Sequence, residues 1–258
     1  MEKSKIGIIG GGVLGGAMKG YFTEAKIYDK YKELDSLEEV KAQDLIFVCV
    51  PTPYTQGIGF DYSVLDEVFG NLAGLEGKVV VIRSTVLPGT TEKYQEKYPQ
   101  LKLMFNPEFL DEATAQEDYS KPDKQIIGYT DQSKDLAQEV LDLLPQAPFM
   151  TIMAAHDAEM VKYMVNNYYA LRVIFANQVY DLCQKAGLDY EAVKEAFIHD
   201  RRVADGHFKP VHKGYRGYGG KCLRKDMDSM IDFFEQNGVE PRLFRTVKEI
   251  NLTLNDGK

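Results

Sequence analysis

The chain contains no run approaching the ~18 consecutive apolar residues of a membrane span. Met1-Glu2-Lys3-Ser4 leads straight into a short apolar strand instead of a signal-peptide core, so a cytoplasmic protein without a membrane partner is expected. Cysteine is scarce. Three residues are an odd number for a disulfide framework, and Cys49, in the apolar run Leu45–Val50, and Cys183, in a long helical stretch, read as core. Positive charge is not in excess: 31 Lys and Arg against 39 Asp and Glu leave a formal charge of −8, which argues against nonspecific nucleic-acid binding. One local basic patch, Arg201, Arg202, Lys209, Lys213 and Arg216, reads either as a receptor for an anionic substrate or as a solvated loop. There is no internal repeat and no low-complexity linker, and no metal site is expected.

What the chain does have is apolar residues (44%) and glycine (22 residues), enough at 258 residues for one large or two ordinary domains. Short apolar runs recur at Leu45–Val50, Val79–Ile82, Leu101–Phe105, Gln125–Gly128 and Pro148–Met153, separated by amphipathic stretches. That alternation predicts an α/β fold, a mostly parallel Rossmann-like sheet wrapped by helices. At the N-terminus Lys5–Ile9 precedes Gly10-Gly11-Gly12-Val13-Leu14-Gly15, and Asp29 closes a second apolar run. Strand, glycine turn, helix, strand and acid is the order needed to hold a dinucleotide. Gly10 makes the turn, Gly12 lets the backbone approach a pyrophosphate, Gly15 permits close helix packing, and Asp29 takes a ribose hydroxyl, favouring NAD over NADP. The polar segments Pro51-Thr52, Ser84-Thr85 and Asn106–Glu112 each follow a predicted strand and gather on the rim where such sheets bind ligands.

A single helix is predicted from about Ala155 to Ala186, opening a second domain over 155–258 after a dinucleotide domain over 1–154. Its Tyr- and Met-rich surface predicts a homodimer. Lys162 and Asn166 stand one turn apart on this helix and read as an ordinary exposed pair or as polar groups serving a site. Asp189 is placed to cap a shorter helix, and two more helices are expected near Cys222 and Pro241. In Gly217-Tyr218-Gly219-Gly220-Lys221-Cys222, followed by Lys225-Asp226, a glycine loop delivers a cysteine to a helix start, where unpaired N–H groups favour a thiolate. Alone, Cys222 reads equally well as a small buried hydrophobe after a turn.

Taken in order, the Gly10–Gly15 turn, Val50–Pro53, Ser84–Val86, Asn106–Leu110, the Lys162/Asn166 helix, Asp200–Val203 and Gly217–Cys222 with Lys225-Asp226 resemble the UDP-glucose 6-dehydrogenase and GDP-mannose dehydrogenase family over nearly the whole chain. The resemblance implies NAD-dependent oxidation of a sugar or nucleotide-sugar primary alcohol to the acid, with Cys222 carrying the intermediate as thiohemiacetal and thioester. It implies that Lys162 and Asn166 hold the oxyanion and that Asp226, Thr85, Glu108 and Glu112 organise water and proton transfer. Cofactor contacts are implied for Gly10, Gly12, Val13, Leu14, Gly15, Asp29, Pro51, Thr52, Ser84, Thr85 and Glu112. Substrate contacts are implied for Glu108, Phe109, Leu110, Lys162, Asn166, Gly217, Tyr218, Gly219 and Lys225, with Arg202 as an arm reaching a partner subunit.

Some positions depart from the family pattern. Thirteen residues separate Gly15 from Asp29, the Tyr31–Asp44 segment is compressed, and Arg224, Gln178 and Ala113 replace the usual Pro, Glu and Gly. The family's C-terminal nucleotide-binding domain is expected to begin near Lys258. Two alternative readings stand beside the first: a two-electron β-hydroxyacid-type dehydrogenase, and a non-catalytic NAD-binding protein or part of a split enzyme.

Overall fold

The computed structural model describes residues 5–55, 57–212 and 214–254, leaving Met1–Ser4 and the basic-patch residue Lys213 outside the described residues. Its contacts define two compact units, one comprising residues 1–54 and 60–162 and the other residues 55–59 and 163–258.

The first unit is built on seven strands: β1 (Ile6–Ile9), β2 (Lys26–Tyr28), β3 (Leu45–Val48), β4 (Val79–Ile82), β5 (Lys102–Phe105), β6 (Lys124–Tyr129) and β7 (Phe149–Ala154). They lie in the order β2-β1-β3-β4-β5-β6-β7. Every neighbouring pair is parallel except β5 and β6, so the last two strands run against the rest. The expected mostly parallel sheet is therefore present. β3 and β4 are apolar at every position because both faces of the sheet are covered. Ile46, Val48, Val80 and Ile82 point to one layer, formed with α3 (Ser63–Leu72), α4 (Thr90–Lys97) and the start of α7 (Ala155–Ala186). Leu45, Phe47, Val79 and Val81 point to the other, formed with α1 (Val13–Tyr21), α5 (Ala115–Ser120) and α6 (Ala137–Leu143). Each such side chain, fully withdrawn from water, stabilises the unit by roughly 1.5–3 kcal/mol. The small α2 (Leu37–Lys41) follows β2 and begins in a capping box between Ser36 and Glu39.

The start of α7 is tied to this sheet by a buried acid. Glu159 accepts from the Gly89 and Thr91 N–H groups and from Thr91 Oγ1, at 2.6, 2.8 and 2.6 Å, and so caps α4 from another element. Burial pushes its carboxyl up to about 7, against the pull of these donors.

The second unit is helical: the rest of α7, then α8 (Tyr190–Ile198), α9 (Gly220–Gln236) and α10 (Arg242–Leu254), with one two-residue strand pair, Val211–His212 with Tyr215–Arg216. Gly187, at φ 68°, follows the last turn of α7, and Asp189 caps α8 by accepting from the Glu191 and Ala192 N–H groups. Its core gathers Ala170, Ile174, Tyr218, Met227, Ile231 and Val247. No described helix is long and apolar enough to cross a membrane.

Candidate active site

In the first unit, the parallel strands β1, β3, β4 and β5 deliver their following loops to one rim. Gly10 follows β1 with φ 106°, and a Cβ there would lie 2.4 Å from the Cys49 carbonyl oxygen. A Cβ on Gly15 would lie 1.8 Å from the Gly10 carbonyl oxygen, so α1 packs against its own turn. Gly12 differs: it precedes α1, and an added Cβ would meet nothing within 4 Å. The first turn of α1, which includes the half-exposed Val13 and Leu14, has neither a side-chain cap nor an acidic residue. Its N–H groups and partial positive charge thus face open space, as a pyrophosphate requires.

Asp29 is on the same turn. The Tyr31 and Gly11 N–H groups donate to its Oδ1 and Oδ2 at 2.9 and 2.7 Å, and with the Lys32 charge they hold the carboxyl below its usual range. It is an ionised acceptor, as a ribose hydroxyl needs. Lys30 pairs with Glu67, and Lys32 donates to the Gly11 carbonyl. The loops after β3 and β4 are stitched together: Thr52 Oγ1 donates to the Thr85 carbonyl at 2.6 Å and Ser84 Oγ to the Val50 carbonyl at 2.7 Å, while Pro51 is exposed. These groups fit NAD, the open cradle at Gly12 above all. Gly12→Val should leave the melting temperature nearly unchanged and weaken NAD binding at least about tenfold by calorimetry, because its Cβ fills ligand space alone. Gly15→Ala should instead destabilise the fold by about 3 kcal/mol or more, read by denaturant unfolding, because the turn backbone must move.

The loop after β5 carries Glu108. Lys162, 5% exposed, donates to Glu108 Oε1 at 2.7 Å and to the Glu108 carbonyl at 2.8 Å, while the Leu110 N–H donates to Oε2 at 3.1 Å. Burial alone would push this carboxyl up. The Lys162 charge and hydrogen bond, the Leu110 N–H and the Arg83 charge outweigh it and hold the group below its usual range. Phe109 lies beside Lys162, with Nζ 5.6 Å from the ring centre. Glu112 is exposed farther along the loop. The Cys49 thiol, 3.6 Å from Met18 Sδ, is pushed up to about 12 by loss of solvent, which suits a core thiol.

In the second unit, α9 starts with no side-chain cap and no acid in its first turn, and that turn contains the exposed Cys222. Asp226, four residues on, is 1% exposed. Asn166 Nδ2 donates to its Oδ2 at 2.5 Å, and Lys225 Nζ stands 3.2 Å from its Oδ1. The cysteine and the acid therefore share a helix but not an exposure. The loop before Cys222 is fixed from α10: the Tyr218 N–H donates to Asn251 Oδ1 at 2.7 Å, and Asn251 Nδ2 donates to the Tyr218 carbonyl at 3.0 Å. Gly217 and Gly220 have φ of 76° and 73°, and a Cβ on Gly219 would lie 2.6 Å from Tyr215 Oη. Exposed Arg202 forms a two-point pair with Asp200, and Arg216 pairs with Asp181.

Sequence reasoning missed four residues around these sites. Asn251 and Glu159 carry no local signal, since each acts on a distant loop. Arg83, buried at the end of β4 with Nε 3.4 Å from the Asn106 carbonyl, was legible as a charge ending an apolar run. Lys124 was not, for its place depends on the register of an antiparallel strand.

The fold and the glycine turn define a dinucleotide-binding α/β unit joined to a helical unit. The description "UDP-glucose/GDP-mannose dehydrogenase family, NAD binding domain" matches residues 18–144, and the central domain of the same family matches residues 156–253. The chain belongs to the UDP-glucose/GDP-mannose dehydrogenase family, and its first unit is that family's NAD-binding domain. It is 32% identical over 229 residues to a UDP-glucose 6-dehydrogenase of Rhizobium meliloti, covering 82% of this chain and 51% of that one. The UDP-glucose dehydrogenase structure from the archaeon Pyrobaculum islandicum superposes with a TM-score of 0.83 at 27% identity, over 96% of this chain and 68% of that chain. The 3-hydroxyisobutyrate dehydrogenase of Mycobacterium tuberculosis shares the fold alone: TM-score 0.76, 15% identity, 97% of this chain and 93% of that chain. The chain spans about half the length of the curated relatives it matches.

Proposed function

We propose that the chain oxidises the primary alcohol of a nucleotide sugar to the carboxylic acid with NAD. The observation that carries the reading is the pair of polar groups on successive turns of α7, each held by an acid: Lys162 by Glu108 and Asn166 by Asp226. An ammonium and an amide fixed in advance are the device that stabilises charge developing on one substrate oxygen. NAD supplies the hydride acceptor for both oxidations. Gly10, Gly12, Val13, Leu14 and Gly15 would hold its pyrophosphate and Asp29 its ribose, with Pro51, Thr52, Ser84, Thr85 and Glu112 along the rest of the cofactor.

In this reading Cys222 adds as thiolate to the aldehyde carbon, which prevents release of the aldehyde between the two oxidations. After the second hydride leaves, water attacks the thioester carbon, the C–S bond breaks, and the acid, the thiol and the oxidised carbon's new C–O bond result. Asp226 and Glu108 organise that water and its protons, while Phe109, Leu110, Gly217, Tyr218, Gly219 and Lys225 shape the sugar site. Following NADH formation with UDP-glucose and related nucleotide sugars tests the reading: two NADH per sugar are expected. One NADH per substrate would favour the two-electron β-hydroxyacid-type reaction. None with any sugar, despite NAD binding, would favour a non-catalytic NAD-binding protein.

The reading includes a homodimer through α7. Met164, Tyr168, Phe175 and Leu182 are 52–64% exposed and recur at helical spacing, beside an apolar groove lined by Phe175, Val179, Val193 and Phe197. A row of exposed apolar side chains along one helix is the kind of surface that a second copy can cover. Light scattering at micromolar concentration should give twice the chain mass. A monomer would remove the role of Arg202 as an arm reaching a partner's substrate.

A further inference from the structure

Lys124 opens β6, and because β6 runs antiparallel to β5 its first residue lies at the rim from which the Asn106–Glu112 loop departs. Phe105 pairs with Gly128, and continuing that register past the end of β5 brings Phe109 opposite Lys124. Lys124 Nζ stands 4.0 Å from the centre of the Phe109 ring, the same ring that has Lys162 Nζ at 5.6 Å. The two ammonium groups are differently occupied. Lys162 is spent on Glu108, whereas Lys124 has no hydrogen bond or ion pair among the described residues, the adjacent exposed Asp123 acting only through space. Burial pulls the Lys124 ammonium below its usual value, Asp123 opposes this, and the Lys162 charge adds to it. The buried Arg83 guanidinium also acts on Glu108. Glu108 thus answers Lys162 and Arg83, while Lys124, beside the Phe109 ring, has no hydrogen-bond acceptor of its own among the described residues.

We propose that Lys124 is a specificity residue that pairs with the carboxylate formed at the sugar carbon served by Lys162, and so distinguishes the acid product from the alcohol substrate. The inference rests on the functional reading above. Hydrolysis of the thioester places a full negative charge where the substrate had a neutral hydroxyl, and Lys124 is already at the rim, half-buried and without an anion. The aromatic ring holds the ammonium in place without neutralising it. Lys162 already shares its charge with Glu108, so a full carboxylate at that carbon has in Lys124 a second cation that no acid among the described residues pairs with.

Calorimetric titration of the full chain, saturated with NADH so that no ligand can be oxidised, against UDP, UDP-glucose and UDP-glucuronate tests this. Lys124→Met keeps the aliphatic stem on Phe109 and removes the charge. It should weaken UDP-glucuronate about tenfold or more while changing UDP and UDP-glucose by less than about threefold, and Lys124→Arg should restore the difference. In the wild type, the preference for UDP-glucuronate over UDP-glucose should fall as salt is raised, a readout that needs no variant to fold. Equal weakening of all three ligands would assign the charge to the diphosphate and overturn the proposal. So would no change at all, or a salt-independent preference. A wild type that binds none of the three overturns this inference and the functional reading together, whereas binding of all three with no selective loss overturns this inference alone.

Discussion

Cys222→Ser should abolish turnover to the acid, lowering steady-state NADH formation by about a thousandfold or more, while the calorimetric affinity for NAD stays within about twofold. The serine hydroxyl is a far weaker nucleophile than a thiolate at the start of α9, where the backbone N–H groups favour a negative charge. Any ester that does form hydrolyses more slowly than a thioester. Mass spectrometry of the variant incubated with substrate and NAD should therefore reveal an accumulating adduct on the peptide that contains residue 222, or free aldehyde caught by an added trapping amine. The wild type should give neither. Retention of full turnover with two NADH per sugar would remove Cys222 from the chemistry and leave it as a small exposed residue after a turn.

Lys162→Met should be costly twice. For activity, loss of the ammonium should slow both oxidations about a hundredfold to a thousandfold, since each develops charge on the same oxygen. For stability, it leaves the Glu108 carboxylate, whose side chain is only 20% exposed, without its 2.7 Å partner. Breaking such a pair by removing one side typically costs 3–5 kcal/mol when fully buried, so a loss of about 2–4 kcal/mol is expected here. The pH dependence separates this from a packing defect. Glu108 is held below its unfolded value of 4.5, so the stabilisation from the pair is present above that pH and is lost as the pH falls through the lowered folded value. The gap in melting temperature between wild type and variant should be widest near neutrality and close as the pH falls below 4.5 and through the lowered folded value. A gap that is the same at every pH would mean that the methionine misfits and that the ion pair contributes little.

The elements that were legible in the sequence share a property: each is specified by its own residues. The run Leu45–Val48 must be a strand covered on both faces, α7 follows from helical spacing up to Gly187, and Asp189 announces α8. Gly10 and Gly15 were legible because positive φ and a close carbonyl exclude other residues. What could not be read depends on partners distant in the chain. The pairing of Lys162 with Glu108 needs the loop after β5 beside the start of α7, fifty-four residues away. The burial of Asp226 beside an exposed Cys222 needs the orientation of α9 against α7, which the four-residue spacing leaves undetermined. Lys124 lies just before the apolar run Gln125–Gly128 and carries no signal there, and only the reversal of β6 sets it against Phe109.

The two hydrogen bonds between Asn251 and Tyr218 give α10 a bearing on the cysteine loop well upstream of it. Asn251 satisfies both the N–H and the carbonyl of one buried residue, in a stretch where Gly217, Gly219 and Gly220 supply no side-chain anchorage of their own. The backbone of the turn that presents the thiol is thus held in part from outside, by an amide near the last described residue. Shortening the protein by even its final helix would keep every residue of the cysteine motif and yet free the motif to adopt other turns. The smallest piece of this chain in which the proposed role of Cys222 can be studied consequently extends through Leu254.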